Sequence, residues 1–146
     1  MNNTRKHLKF SSLAILALAG FSLVNIVSEL LFGELNSAEI PAGSPDNVLL
    51  ITKIILMTLS FLCLLPQVYI GIKGLKVAKN PDSSKGHIVL GTILLVFAII
   101  GLVSPLVAVI KQDSVFENAS ALLSILIEAA FLYDYVKYAR AVAEAN

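Results

Sequence analysis

Tryptophan is missing from this 146-residue chain, cysteine occurs once, and charged residues make up only 14% of it. Each shortage excludes something. A lone Cys63 rules out an intrachain disulfide and any cysteine-built metal site. The two histidines, His7 and His87, are far apart in the chain, and there is no Gly-rich phosphate loop and no Ser/His/Asp set that the topology brings together. Enzymatic activity, a metal and a cofactor therefore find no support. With a net charge of +1 and no basic face interleaved with aromatics, nucleic acid is not an expected partner. Without tryptophan, anchoring at a lipid–water boundary falls to Tyr, Lys and Arg.

What is present is apolar: 57% hydrophobic residues and a mean hydropathy of +0.83, against roughly 45–50% apolar and about 25% charged in soluble domains. The missing charge has been removed from four blocks, at about residues 10–32, 48–70, 87–110 and 118–138. Each approaches the roughly 20 residues that cross a hydrocarbon core. The sequence thus predicts a single all-α integral membrane domain, a bundle of four transmembrane helices. The first block has a basic head and an Ala17-Leu18-Ala19 triplet resembling a signal-cleavage site, but its apolar run continues past that triplet, so an uncleaved first span is expected. Cys63, inside the second block, is expected to pack as a small inert core residue.

Between the blocks the chain changes character. Residues 33–47 hold two prolines, two glycines and three acids without a cation, and read as a solvent loop. The basic joint after the second block carries Lys73, Lys76, Lys79 and Lys85, with a turn at Asn80-Pro81 and a helix cap expected from Ser83 or Ser84. Asn118 or Ser120 is the expected cap of the last helix. Arg5, Lys6 and Lys9 precede the first span, Lys137 and Arg140 follow the fourth, and the 111–117 loop has only Lys111. Cation-rich segments mark the cytoplasmic side, so both termini and the joint are expected there, in a plasma membrane. The fourth span ends in Tyr133, Tyr135 and Tyr138, which with its cations mark an interface, and His7 and His87 fall at the same boundary.

Phe21 to Leu30 (FSLVNIVSEL) aligns with Phe97 to Leu106 (FAIIGLVSPL), matching Phe, Val, Ser and Leu at identical spacing. A duplication would make the bundle two antiparallel helical hairpins with the basic joint as the seam; apolar composition alone would also produce such a match.

Ionisable residues inside lipid are candidates for function by default. Glu29 and Lys53 lie near the outer ends of neighbouring spans and are expected to form an ion pair. Glu128 sits near the centre of the fourth span with no cation expected at its depth. Ser120, Ser124 and Glu128 recur every fourth residue on one helical face. Ser22 and Asn25 on the first span and Ser60 on the second are expected near Glu128 in depth. Two readings follow: polar glue between helices, or a polar path with Glu128 as a proton- or cation-linked site. Pro66 and Pro105 are expected to kink their helices. The Pro66-Gln67 pair, followed by Tyr69 and lysines, resembles the PQ-loop sugar and amino-acid transporters over a handful of residues. Those families are built of three-helix repeats, whereas this chain has four blocks. Lysines 73, 76 and 79, three residues apart, serve orientation or attract anionic headgroups or an acidic partner.

Few polar groups on four spans argue against a wide pore within one protomer. The sequence therefore favours a non-catalytic multi-pass protein acting as a subunit, regulator or immunity-type partner in a membrane complex, with the bilayer and a homo-oligomer or membrane protein as its partners. The second class is a small oligomeric transporter or channel-like protein using Glu128, Ser124, Asn25, Ser22 and Ser60.

Overall fold

Four stretches of the computed structural model are helical, long and apolar enough to cross a membrane: Asn3–Ser28, Leu50–Lys79, Gly86–Ile110 and Val115–Glu144. The structure describes residues 2–32, 46–81, 84–111 and 115–145. Its elements are α1 (Asn2–Phe32), α2 (Asp46–Lys79), α3 (Gly86–Gly101), α4 (Val103–Ile110) and α5 (Val115–Glu144), with no strand among the described residues. The side chains of Glu29 and Lys53 lie outside the described residues, and the expected ion pair with them.

The helices outrun the apolar blocks. At 1.5 Å per residue α1 is about 46 Å long and α2 about 51 Å, against a hydrocarbon thickness of about 30 Å. The polar head with Arg5, Lys6 and Lys9 belongs to α1, and the lysines at 73, 76 and 79 ride on α2. Pro66 is accommodated within α2, which runs on without a break. The third span is divided at Leu102, three residues before Pro105. Proline cannot donate to the carbonyl of residue 101 and its ring crowds that turn. The Leu102 amide there is shared between the Ala98 and Ile99 carbonyls, both at 3.2 Å. At α3 the cap position is Lys85, which makes no side-chain cap bond, and Ser83 lies outside the described residues. Asn118 and Ser120 lie inside α5, which starts at Val115, so that capping expectation needs correcting.

Each helix meets only some of the others. α1 packs against α2 and α5, α3 against α5 and α2, and α4 against α5, while α2 and α5 touch across the diagonal. The shared layer lies at the end where α1 begins and α5 finishes, here called the base. It contains Leu8, Ile15, Ile70, Val77, Ile88, Leu132, Tyr135, Val136, Ala139 and Val142. Ser11, Ser12, Gly71, Gly74, His87 and Gly91 are buried at the same level, and farther out Ala19, Leu64 and Pro105 are the buried positions among the described residues. Phe21, Phe61, Phe97 and Phe116 are all exposed in the outer half. Cys63 is exposed there too, which corrects its expected place in the core.

The buried positions repeat. Ser11, Ser12 and Ile15 of α1 correspond to His87, Ile88 and Gly91 of α3 at the same separation that aligns Phe21 with Phe97. Likewise Ile70, Gly71, Gly74 and Val77 of α2 correspond to Tyr135, Val136, Ala139 and Val142 of α5 at one constant separation.

Candidate functional site

Two polar pairs lie within the bundle. The first is at the base, on α5. Tyr135 is fully buried, and its hydroxyl meets His87 Nδ1 of α3 at 2.8 Å. The ring is admitted by glycines on two other helices. A Cβ on Gly91 would stand 3.1 Å from Tyr135 Cδ1 and Cε1, and a Cβ on Gly74 would run into the same ring and into Ser12 Oγ. Gly71, one turn along α2, faces the Leu16 side chain nearly as closely, with the Ser12 carbonyl 3.3 Å from a Cβ placed there. Ser12 donates to the Leu8 carbonyl at 2.7 Å, so its buried hydroxyl is satisfied within its own helix. His87 and Tyr135 were both expected at the boundary and are core residues, 1% and 0% exposed. The reason is the room that Gly74 and Gly91 leave between helices for the Tyr135 ring, which its bond to His87 then holds inside. His7 is exposed but stacks on Tyr138 at 4.8 Å, and Lys137 Nζ stands 5.4 Å from that same ring.

The second pair lies just above this layer. Gln67 Nε2 donates to Glu128 Oε1 at 2.5 Å, joining α2 to α5 across the diagonal. Both side chains are half-buried. Gln67–Glu128 and Gly74–Tyr135 are contacts of equal sequence separation, so α2 and α5 run in the same direction side by side. The partner of Glu128 is thus the amide beside Pro66, a residue the sequence shows as one of the few polar interruptions of the second block.

The other expected members of the site are elsewhere. Phe10 meets Phe131 edge-on at 6.1 Å and His7 stacks on Tyr138, which levels Glu128 with about residues 13 to 17 of α1. Ser22 and Asn25 then lie farther out along α1, by roughly 8–13 Å and 12–18 Å at 1.5 Å per residue. Ser60, seven residues before Gln67 on α2, stands about 10 Å farther out. Ser124 donates to the Ser120 carbonyl at 3.0 Å, and Ser120 to that of Glu117 at 2.7 Å, within their own helix. Depth counted from the ends of the apolar blocks is offset, because α1 starts at Asn2 and reaches Tyr138 with His7.

Among the described residues there is no group of three or more His, Cys, Asp or Glu side chains able to hold a metal. Lys76, Lys79 and Lys85 are exposed and Lys73 is half-buried. Two grooves flank the outer helices. One, of about 410 Å³, lies between α1 and α2 and is walled by Ile26, Val27, Met57, Phe61, Leu62 and Leu65 with Thr58. The other, of about 420 Å³, follows α3 to Arg140. No family model matches the chain, and no match was found among curated proteins or solved structures.

Proposed function

We propose that this protein spans the plasma membrane four times as two antiparallel hairpins, with both termini and the basic joint in the cytoplasm. We propose further that it acts as a non-catalytic subunit or regulator of a membrane complex. The observation that carries this reading is the distribution of polar groups. Glu128 is met by Gln67, Ser120 and Ser124 bond their own backbone, and Ser22, Asn25 and Ser60 stand farther out. A polar path across the bundle needs these groups to converge, and a chain whose outer helices expose Phe21, Phe61, Phe97 and Phe116 instead offers apolar faces to neighbouring helices.

A photo-reactive residue at Phe61 or Phe116 tests this in native membranes. A discrete adduct with another membrane protein, formed from the outer positions and not from Lys137 at the base, supports it. In liposomes, wild type and Glu128→Gln then show equal proton and cation flux. A flux that Glu128→Gln abolishes, with no adduct from either outer position, replaces this reading with transport. One observation favours that second reading: Glu128 and Gln67 are half-buried and join α2 to α5 where the packed base gives way to the outer half.

A further inference from the structure

The groove along α3 differs from the one between α1 and α2 in having a charged end. Its wall is Ile88, Val89, Ile93, Val96 and Phe97 with Thr92, and at the base it reaches Arg140 of α5. A second hollow, of about 330 Å³, shares Ile88, Val89 and Arg140 and adds Lys85, Ala143 and Glu144. The two adjoin at those shared residues, an apolar stretch of about 13 Å along α3 at 1.5 Å per residue followed by a polar end. Its rim carries two cations and one carboxylate, a net single positive charge. Both cations are exposed at the level where the helices leave the apolar blocks, with Lys85 immediately before the first turn of α3.

The geometry points to a binding site for one anionic glycerophospholipid of the cytoplasmic leaflet, its phosphodiester between Lys85 and Arg140 and one acyl chain along Val89, Ile93 and Phe97. This rests on the membrane-spanning reading above and adds a ligand to it. The length of the apolar wall suits the upper part of an acyl chain, and the rim charge matches the single charge of a phosphodiester such as that of phosphatidylglycerol. Guanidinium and ammonium groups at a membrane boundary keep their heads in the headgroup layer while their stems lie on apolar surface. Each cation near an anionic headgroup is worth about 1 kcal/mol, roughly fivefold in occupancy. Glu144, one helical turn beyond Arg140, opposes a second negative charge and disfavours a dianionic headgroup.

The absence of tryptophan makes the groove addressable. Phe97→Trp, reconstituted in phosphatidylcholine vesicles with a small fraction of brominated lipid, reports contact by quenching. Brominated phosphatidylglycerol is expected to occupy the groove at least fivefold more than brominated phosphatidylcholine. Lys85→Gln with Arg140→Gln in that background is expected to remove the preference, and Phe116→Trp at the far end of α5 is expected to show none. Equal quenching by both lipids overturns the site, as does a preference that survives loss of both cations or appears equally at Phe116→Trp. Excess inorganic phosphate should leave the preference intact; its abolition overturns a lipid as the occupant. If Phe97→Trp fails to fold, phosphatidylglycerol retained by wild type but lost from Lys85→Gln/Arg140→Gln in native mass spectrometry tests the same claim, and equal retention sinks it. Release of the chain from membranes by alkaline carbonate refutes the spanning reading, whereas a chain that stays in membranes without lipid preference refutes only the site.

Discussion

Tyr135 shows at the scale of one residue what spacing along a sequence conveys and what it leaves out. The tyrosine cluster near the end of the fourth span is legible as a boundary. That one of its members enters the core depends on two glycines, one from each of two other helices, which no local pattern connects to it. Gly74→Ala places a methyl against the Tyr135 ring and Ser12 Oγ, whereas Gly91→Ala meets the ring at 3.1 Å, where a small shift of α3 suffices. Overpacking of this kind costs about 1–3 kcal/mol. Thermal unfolding in detergent should therefore place Gly74→Ala well below wild type and Gly91→Ala between them; the reverse order refutes the tighter fit at Gly74. Tyr135→Phe keeps the ring and removes the hydroxyl that meets His87 at 2.8 Å. It is expected to lose about 0.5–1.5 kcal/mol in the same measurement. Glu128 was legible as a candidate from its charge and depth; its partner was not, because spacing gives the face of a helix and not its axial level against another.

At the scale of elements, the number and approximate places of the four long helices follow from the apolar blocks, and their ends do not. Charged residues at 5, 6, 9, 73, 76 and 79 read as flanks because they leave the hydrocarbon, yet an α-helix needs only its own backbone bonds to continue into water. The level of one helix against another is set by contacts such as Phe10–Phe131 and His7–Tyr138, and these put Ser22 and Asn25 farther out than Glu128. The two prolines also part ways: α2 absorbs Pro66, and the third span divides near Pro105, where Gly101 weakens the same turn. Pro105→Ala restores a donor for the Gly101 carbonyl. Amide exchange over residues 101–106 is expected to slow, and unchanged exchange there means that Gly101, rather than Pro105, sets the division.

For the whole molecule, the buried layer sits at the basic end, where Lys9, Lys76, Lys79, Lys137 and Arg140 are exposed. In lipid no hydrophobic force acts between helices, and association rests on close packing and interhelical bonds. The basal layer has both, with Gly74 and Gly91 against the Tyr135 ring and Tyr135 meeting His87. The outer half has no glycine-lined contact among the described residues, and most of its large apolar side chains are exposed. The matching buried positions of α1 with α3 and of α2 with α5 fit the same picture, each pair of helices contributing equivalent faces to a single basal layer. Two leucines on α5 separate this account from one in which stability is spread evenly along the helices. Leu132 is 1% exposed in the basal layer, and Leu126, fewer than two turns away, is 51% exposed. Leu132→Ala removes packed methyl groups and is expected to cost about 2–5 kcal/mol in detergent unfolding. Leu126→Ala leaves no cavity between helices and is expected to change stability by less than about 0.5 kcal/mol. Equal losses at both sites show that the outer half is packed in the membrane, which also removes the apolar faces on which partner binding depends.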